Sequence, residues 1–229
     1  MSKIELVIFD CDGVLLDSEI VAAAAELSVY SEFGIKLEPQ EFCERFAGLD
    51  SYAVKAGIEQ ELGHELPERV IAETRAAVNE KVVEDARMIK GADAVLDQLD
   101  QARCVCSNSP PERLKKALGK VGLYDKFRPY VFSAQDSEPH VFKPKPDIVL
   151  RALSEFELEP RQAVVLEDSV HGIQAAKNAG TRVIGFTGAS HTYPTHADEL
   201  IDAGAETVIS RLTDLPSVIE AFSSWGGIA

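Results

Sequence analysis

At 229 residues the chain has room for one domain, or for one domain carrying a small insertion. Apolar residues make up 45% of it, the share of an ordinary globular protein with a sizeable core. A formal net charge of −15 argues against nucleic acid or an anionic membrane surface as partner. No run approaches the roughly 18 uninterrupted apolar residues of a membrane span.

The run Ile4-Glu5-Leu6-Val7-Ile8-Phe9 predicts a short buried strand that ends in the acidic turn Asp10-Cys11-Asp12-Gly13-Val14. The next stretch is helical throughout. Ser18 or Asp17 can cap a first helix that Gly34 closes, with Glu19 in its first turn. A second helical region runs from Pro39 to Gly63, with breaks expected near Gly48 and Gly57. A third starts at Pro67 and runs to Ala86. Strand–helix alternation is missing here, so residues 16–86 are expected to form an inserted helical unit, with 1–15 and 87–229 as the core domain.

Beyond Met88 the pattern alternates. A helix over 92–101 precedes the strand Arg103-Cys104-Val105-Cys106, and Ser109-Pro110-Pro111-Glu112 reads as a capping box opening the next helix. Strands follow at 130–132, 163–167, 182–186 and 207–209, with helices at 146–155, 172–180 and 195–203 and one from Leu215. Such β-α repeats predict an α/β fold with a doubly wound parallel sheet. The structureless stretch from Ser133 to Pro146 is long enough to suggest a functional loop.

Four polar clusters each follow their own apolar run: Asp10 with Asp12, Ser107-Asn108-Ser109, the loop end Phe142-Lys143-Pro144-Lys145-Pro146-Asp147, and Glu167-Asp168-Ser169. Alone, the Asp10–Asp12 pair reads more readily as a solvated turn, and Glu167-Asp168 as acidic decoration of a helix start. Together and in this order they resemble the four motifs of the haloacid dehalogenase-like hydrolase superfamily, across nearly the whole chain.

The resemblance implies a Rossmann-like core with Asp10 as nucleophile and Asp12 as the group that moves protons. In the dehalogenase branch the residue two after the nucleophile is not an acid, so Asp12 favours phosphoryl chemistry. Asp10, the Asp12 carbonyl, Glu167 and Asp168 would hold Mg²⁺, which suits oxygen ligands. Ser107 and the Asn108 backbone N–H would hold phosphoryl oxygens, and Lys143 rather than Lys145 would neutralise charge between nucleophile and phosphate. A lysine and a cation are what such a crowd of carboxylates needs.

The insertion sits where the superfamily's first subclass carries a helical cap. Crossings between cap and core are expected at Leu15 to Asp17 and near residues 85–90. Glu19 would face the cleft, and Arg45 and Lys55 are the basic cap residues suited to a charged substrate. β-Phosphoglucomutase-like members carry a histidine and an arginine where this chain has Ala22 and Ser51, which favours a hydrolase over a mutase. A catalytically quiet binding protein on the same scaffold is the rival from another class. The expected substrate is a small phosphorylated metabolite, a sugar phosphate or phosphorylated sugar acid.

His171, His191 and His196 read as surface, packing or loop residues. Cys11, Cys43, Cys104 and Cys106 read as buried small residues in a reducing compartment rather than a zinc site. With Lys3, Glu5 and acids by position 10, the N-terminus does not resemble a secretory signal, and a cytoplasmic location is expected.

Overall fold

In the computed structural model, which describes residues 3–46, 49, 51–136 and 138–224, the strand read at the N-terminus is β1 (Leu6–Phe9). Next come a two-residue strand β2 (Leu16–Asp17) and helices α1 (Glu19–Tyr30), α2 (Pro39–Phe46), α3 (Ser51–Leu62) and α4 (Arg69–Asp85). A second short strand, β3 (Arg87–Met88), precedes α5 (Ala92–Gln98), β4 (Ala102–Ser107), α6 (Pro111–Lys120), α7 (Tyr124–Phe127) and β5 (Val131–Ser133). The remainder is α8 (Asp147–Glu155), β6 (Ala163–Glu167), α9 (Val170–Asn178), β7 (Arg182–Phe186), α10 (His196–Ala203), β8 (Thr207–Ile209) and α11 (Leu215–Ser224).

Six strands form one parallel sheet in the order β5-β4-β1-β6-β7-β8. The chain works outward from β1 to β5, then returns to β1's other side at β6. That reversal is the topological switch point of a doubly wound sheet, where ligands bind beyond the strand carboxyl ends. Residues along the central strands alternate between two apolar clusters. Val7, Phe9, Val105, Val164 and Leu166 pack on one face, and Leu6, Ile8, Cys104, Cys106 and Val165 on the other. Burial on both faces explains why these strands read as continuous apolar runs.

Helices α1–α4 enclose a third cluster, built on Leu27, Tyr30, Phe42, Phe46, Val54, Ile58 and Val70. The crossings at either end of this helical stretch meet as an antiparallel ribbon, with Leu16 opposite Met88 and Asp17 opposite Arg87. Two residues per strand carry too little pattern to be read as β-structure in advance. No helix among the described residues is long and apolar enough to cross a membrane.

Two local expectations are corrected. Gly57 does not break α3, and its missing side chain instead makes room for Phe46, whose Cε1 a Cβ at position 57 would approach to 2.8 Å. The second expected break, at Gly48, lies outside the described residues. The Ser109 capping box does not form either. Pro110 occupies the cap position of α6 without a side-chain cap bond, because the Ser109 hydroxyl is drawn to Asp12 instead.

Candidate active site

Register places the four polar clusters together. Phe9 pairs with Val105 on one side and Leu166 on the other, so Asp10, Ser107 and Glu167 leave neighbouring strands at the same edge. Lys143 reaches them from the 134–146 loop. Its Nζ lies 2.5 Å from Asp10 Oδ1 and 2.7 Å from Glu167 Oε2, and all three residues are buried. The loop is pinned for this purpose. The Lys143 backbone N–H donates to Asn108 Oδ1 at 3.0 Å, and Gln135 Nε2 donates to the Asn108 carbonyl at 2.8 Å. Lys145, the competing lysine, is exposed.

Burial, reinforced by the charges of Glu167 and Asp168, pushes the Asp10 carboxyl well above the ordinary carboxylate range, although Lys143 pulls the other way. Burial and the Glu167 charge do the same to Asp168. Lys143 is held well above the usual lysine range because the attraction of Asp10 and Glu167 outweighs its burial. Three carboxylates therefore face one ammonium in a space that holds them closer than they tolerate. Asp10, Glu167 and Asp168 each offer an oxygen, all within 4.8 Å of one another. An all-oxygen set with unrelieved negative charge fits a hard divalent cation such as Mg²⁺. Glu167 has the least to give: its Oε1 already accepts from Asp168 N, Ser169 N and Ser169 Oγ at 2.9–3.1 Å.

Two glycines make the crowding possible. A Cβ at Gly172 would sit 1.9 Å from Glu167 Cδ, and one at Gly13 would sit 1.8 Å from Asp168 Oδ2. Gly13 also has a φ of +75°, which a side chain would strain.

Asp12 stands in a different environment. Its Oδ1 accepts from Ser18 Oγ at 2.7 Å, while Oδ2 accepts from Ser109 Oγ, from Arg113 Nη2 at 3.3 Å and from Ser107 Oγ at 3.5 Å. Burial would raise this carboxyl, but the Arg113 guanidinium and the two serine hydroxyls outweigh it and hold it below the ordinary value. Two nearby carboxylates thus have their proton affinities driven apart. Ser18, expected as a helix cap, occupies the cap position of α1 but gives its hydroxyl to Asp12 rather than to the helix.

Glu19 lies near Asp12, its carboxyl raised by burial and by the Asp12 charge. Arg45 and Lys55 take partners within α2 and α3 instead. Arg45 pairs with Glu61 at 2.5 Å and Glu41 at 3.9 Å, and Lys55 with Glu59 at 2.5 Å. Ser51 accepts from Arg75 Nε at 3.4 Å, and His171 is half-buried in the first turn of α9.

A family model described as haloacid dehalogenase-like hydrolase matches residues 4–180, the span that holds all four clusters. The chain belongs to that family. It is an enzyme of that hydrolase family, and relatives named as phosphatases match it over nearly their whole length. A 6-phosphogluconate phosphatase of Escherichia coli is 31% identical over 222 residues, covering 96% of this chain and 97% of its own length. A phosphorylated carbohydrates phosphatase of Thermotoga maritima is 28% identical over 90% of this chain and 94% of its own. Among solved structures, a haloacid dehalogenase-like protein of unknown function from Agrobacterium tumefaciens superposes with a TM-score of 0.92 at 47% identity, over 96% of this chain and 99% of that one. A family hydrolase from Deinococcus radiodurans, solved with bound phosphate and sodium, gives a TM-score of 0.81 at 27% identity over the whole of both chains.

Several residues of this haloacid dehalogenase-like site escaped the sequence reading. His191 and His196, read as loop, are buried. His191 Nε2 lies 3.1 Å from Asp168 Oδ2, and His196 Nε2–H donates to the Asp168 carbonyl at 2.7 Å. Their loop also ties to β2 and α2, since Ser190 N donates to Asp17 Oδ1 at 2.9 Å and Gln40 Nε2 to the Thr192 carbonyl at 3.0 Å. Nothing in a Thr/Gly/Pro-rich segment signals those distant partners. Ser109 and Arg113 did carry a signal, standing two and six residues after Ser107 at a helix start.

Proposed function

We propose that the protein is a Mg²⁺-dependent phosphomonoester hydrolase that acts on a small phosphorylated metabolite through a phosphoryl group carried by Asp10. The substrate class is a sugar phosphate or phosphorylated sugar acid, and the place of action the cytoplasm. The observation that carries this reading is the buried contact of Lys143 with both Asp10 and Glu167. A carboxylate and an ammonium side by side at the strand edge where such sheets bind ligands are what a nucleophile and a phosphate-neutralising cation would require. The names of the Escherichia coli and Thermotoga relatives support the substrate class.

Asp10 would attack phosphorus in line with the departing oxygen, and Lys143 would stabilise charge on the transferring group. Ser107 and the Asn108 backbone would fix the phosphoryl oxygens. Asp10, Asp168, Glu167 and the Asp12 carbonyl would hold Mg²⁺, which when bound supplies positive charge to the carboxylates and to the phosphate. Asp12 would serve both half-reactions. Its ring of donors favours the carboxylate, the form that takes a proton from water attacking the phospho-aspartate. To protonate the leaving oxygen it must first gain a proton, which a substrate bound as its phosphate monoanion brings.

Helices α1–α4, residues 16–86, would act as a cap that pivots on the β2–β3 ribbon and excludes water while the phosphoryl group moves. Ala22 and Ser51 stand where a mutase would orient a second sugar hydroxyl, and neither side chain offers an imidazole or guanidinium for that. Phosphate release from p-nitrophenyl phosphate and a panel of phosphorylated metabolites, with and without Mg²⁺, tests the proposal. Mg²⁺-dependent release from sugar phosphates is expected. Conversion between isomers without release would favour a mutase, and no reaction with any ester a binding protein.

A further inference from the structure

The cleft between the helical stretch and the core is strongly acidic. Burial and the Asp12 charge raise the Glu19 carboxyl, Glu26 adds to the effect, and Glu19 in turn raises Asp168, after burial and Glu167. A substrate bearing a carboxylate besides its phosphate meets repulsion there unless a cation is placed to receive it. Lys143 is engaged with Asp10 and Glu167, while Arg45 and Lys55 are paired with cap glutamates.

Arg113 is differently placed. It projects from the first turn of α6 with its side chain only 17% exposed, at the boundary of both layers. On the core side Nη2 donates to Asp12 at 3.3 Å and to the Ser109 hydroxyl. On the other, Nη1 donates to Asn79 of α4 at 3.3 Å. Both 3.3 Å contacts are longer than an optimal N–H···O bond. Nε is buried and has no hydrogen-bond partner among the described residues. A guanidinium offers five donors in a planar fork that matches a carboxylate along its Nε–Nη edge. Here that edge is incompletely used.

We propose that Arg113 is a specificity-determining residue that pairs with a carboxylate of the substrate, and that the enzyme therefore prefers phosphorylated sugar acids to neutral sugar or alditol phosphates of the same length. This rests on the phosphatase reading above and narrows its substrate class. A carboxylate would take over donors that Arg113 now spends on Asn79 and Asp12, and would satisfy Nε. Neutral polyol chains can offer only hydroxyls to the same edge.

The test compares 6-phosphogluconate with sorbitol 6-phosphate as competitors of p-nitrophenyl phosphate hydrolysis, for the wild type, Arg113→Met and Arg113→Lys. Wild type should bind 6-phosphogluconate more tightly than sorbitol 6-phosphate. Arg113→Met should raise the inhibition constant of the acid by about 10–100-fold, the value of a charge-assisted hydrogen-bonded pair, and that of the alditol by less than about threefold. Arg113→Lys should recover part of the difference. Because both competitors face the same altered Asp12, an effect through that residue alone moves both constants together, and this result would overturn the proposal. Equal constants in the wild type would overturn it too, leaving the phosphatase reading intact. A wild type that hydrolyses no phosphate ester would instead remove the phosphatase reading and this proposal with it.

Discussion

Lys143 Nζ lies 2.5 Å from Asp10 Oδ1, a buried pair joined across the sheet edge by a loop more than a hundred residues further along the chain. The same ammonium holds Glu167 at 2.7 Å, so removing it leaves two buried carboxylates without their cation. Lys143→Ala should therefore cut kcat by more than about a hundredfold and lower stability by roughly 3–5 kcal/mol, the usual cost of breaking a buried ion pair. Lys145, exposed two residues on, should tolerate alanine with activity within about twofold of wild type. Steady-state kinetics and denaturant titration of both variants check this. A Lys145→Ala variant more damaged than Lys143→Ala would contradict it.

Gly172 offers a second handle on the same pair. In the first turn of α9, alanine would gain up to about 1 kcal/mol of helix propensity over glycine. The new Cβ would nevertheless fall 1.9 Å from Glu167 Cδ, inside a packed site, and overpacking costs about 1–3 kcal/mol. Sterics should win. Gly172→Ala should displace Glu167 and lose about a hundredfold in kcat, as displacements of about 1 Å at an active site do. A crystal structure of the variant should show the Glu167 carboxylate moved. Full activity with an unmoved Glu167 would contradict the prediction.

Glu26 gives a pH signature separate from the reacting groups. Burial raises its carboxyl to about 7, and its Oε2 has no hydrogen-bond partner among the described residues. A carboxyl raised on folding contributes stability that is fully present below its ordinary value of 4.5 and is lost as pH rises through 7. Glu26→Gln cannot ionise, so its Tm relative to wild type should climb between pH 5 and pH 8. The free-energy difference involved is on the order of 3 kcal/mol at most. Thermal unfolding across that range reads it directly, and a pH-independent difference would contradict it.

Much of this was legible in the sequence because local chemistry and long-range register coincide. Asp10, Ser107 and Glu167 each close an apolar run, and parallel pairing of those runs brings strand ends together without further instruction. The parallel sheet and the long loop carrying Lys143 followed from the same punctuation. What stayed hidden depends on contacts that no local pattern encodes. Ser18 and Ser109 looked like helix caps, since a hydroxyl before a helix is ordinarily used there, yet Asp12 competes for both hydroxyls. His191 became visible only through its approach to Asp168, and Arg113, though placed at a helix start near Ser107, showed its partners only through its bridge from Asp12 to Asn79. Arg45 was attractive as a cap cation, but Glu61, sixteen positions away, claims it.

The central claim is that Asp10 carries the phosphoryl group, and acid-quenched peptide mass spectrometry of the Mg²⁺-loaded enzyme during turnover tests it most directly. A phosphoryl adduct is expected on the peptide containing Asp10, lost on incubation after substrate is exhausted and absent from Asp10→Asn, which should be inactive. A hydrolytically active enzyme with no adduct, or with an adduct on a different peptide, would contradict it.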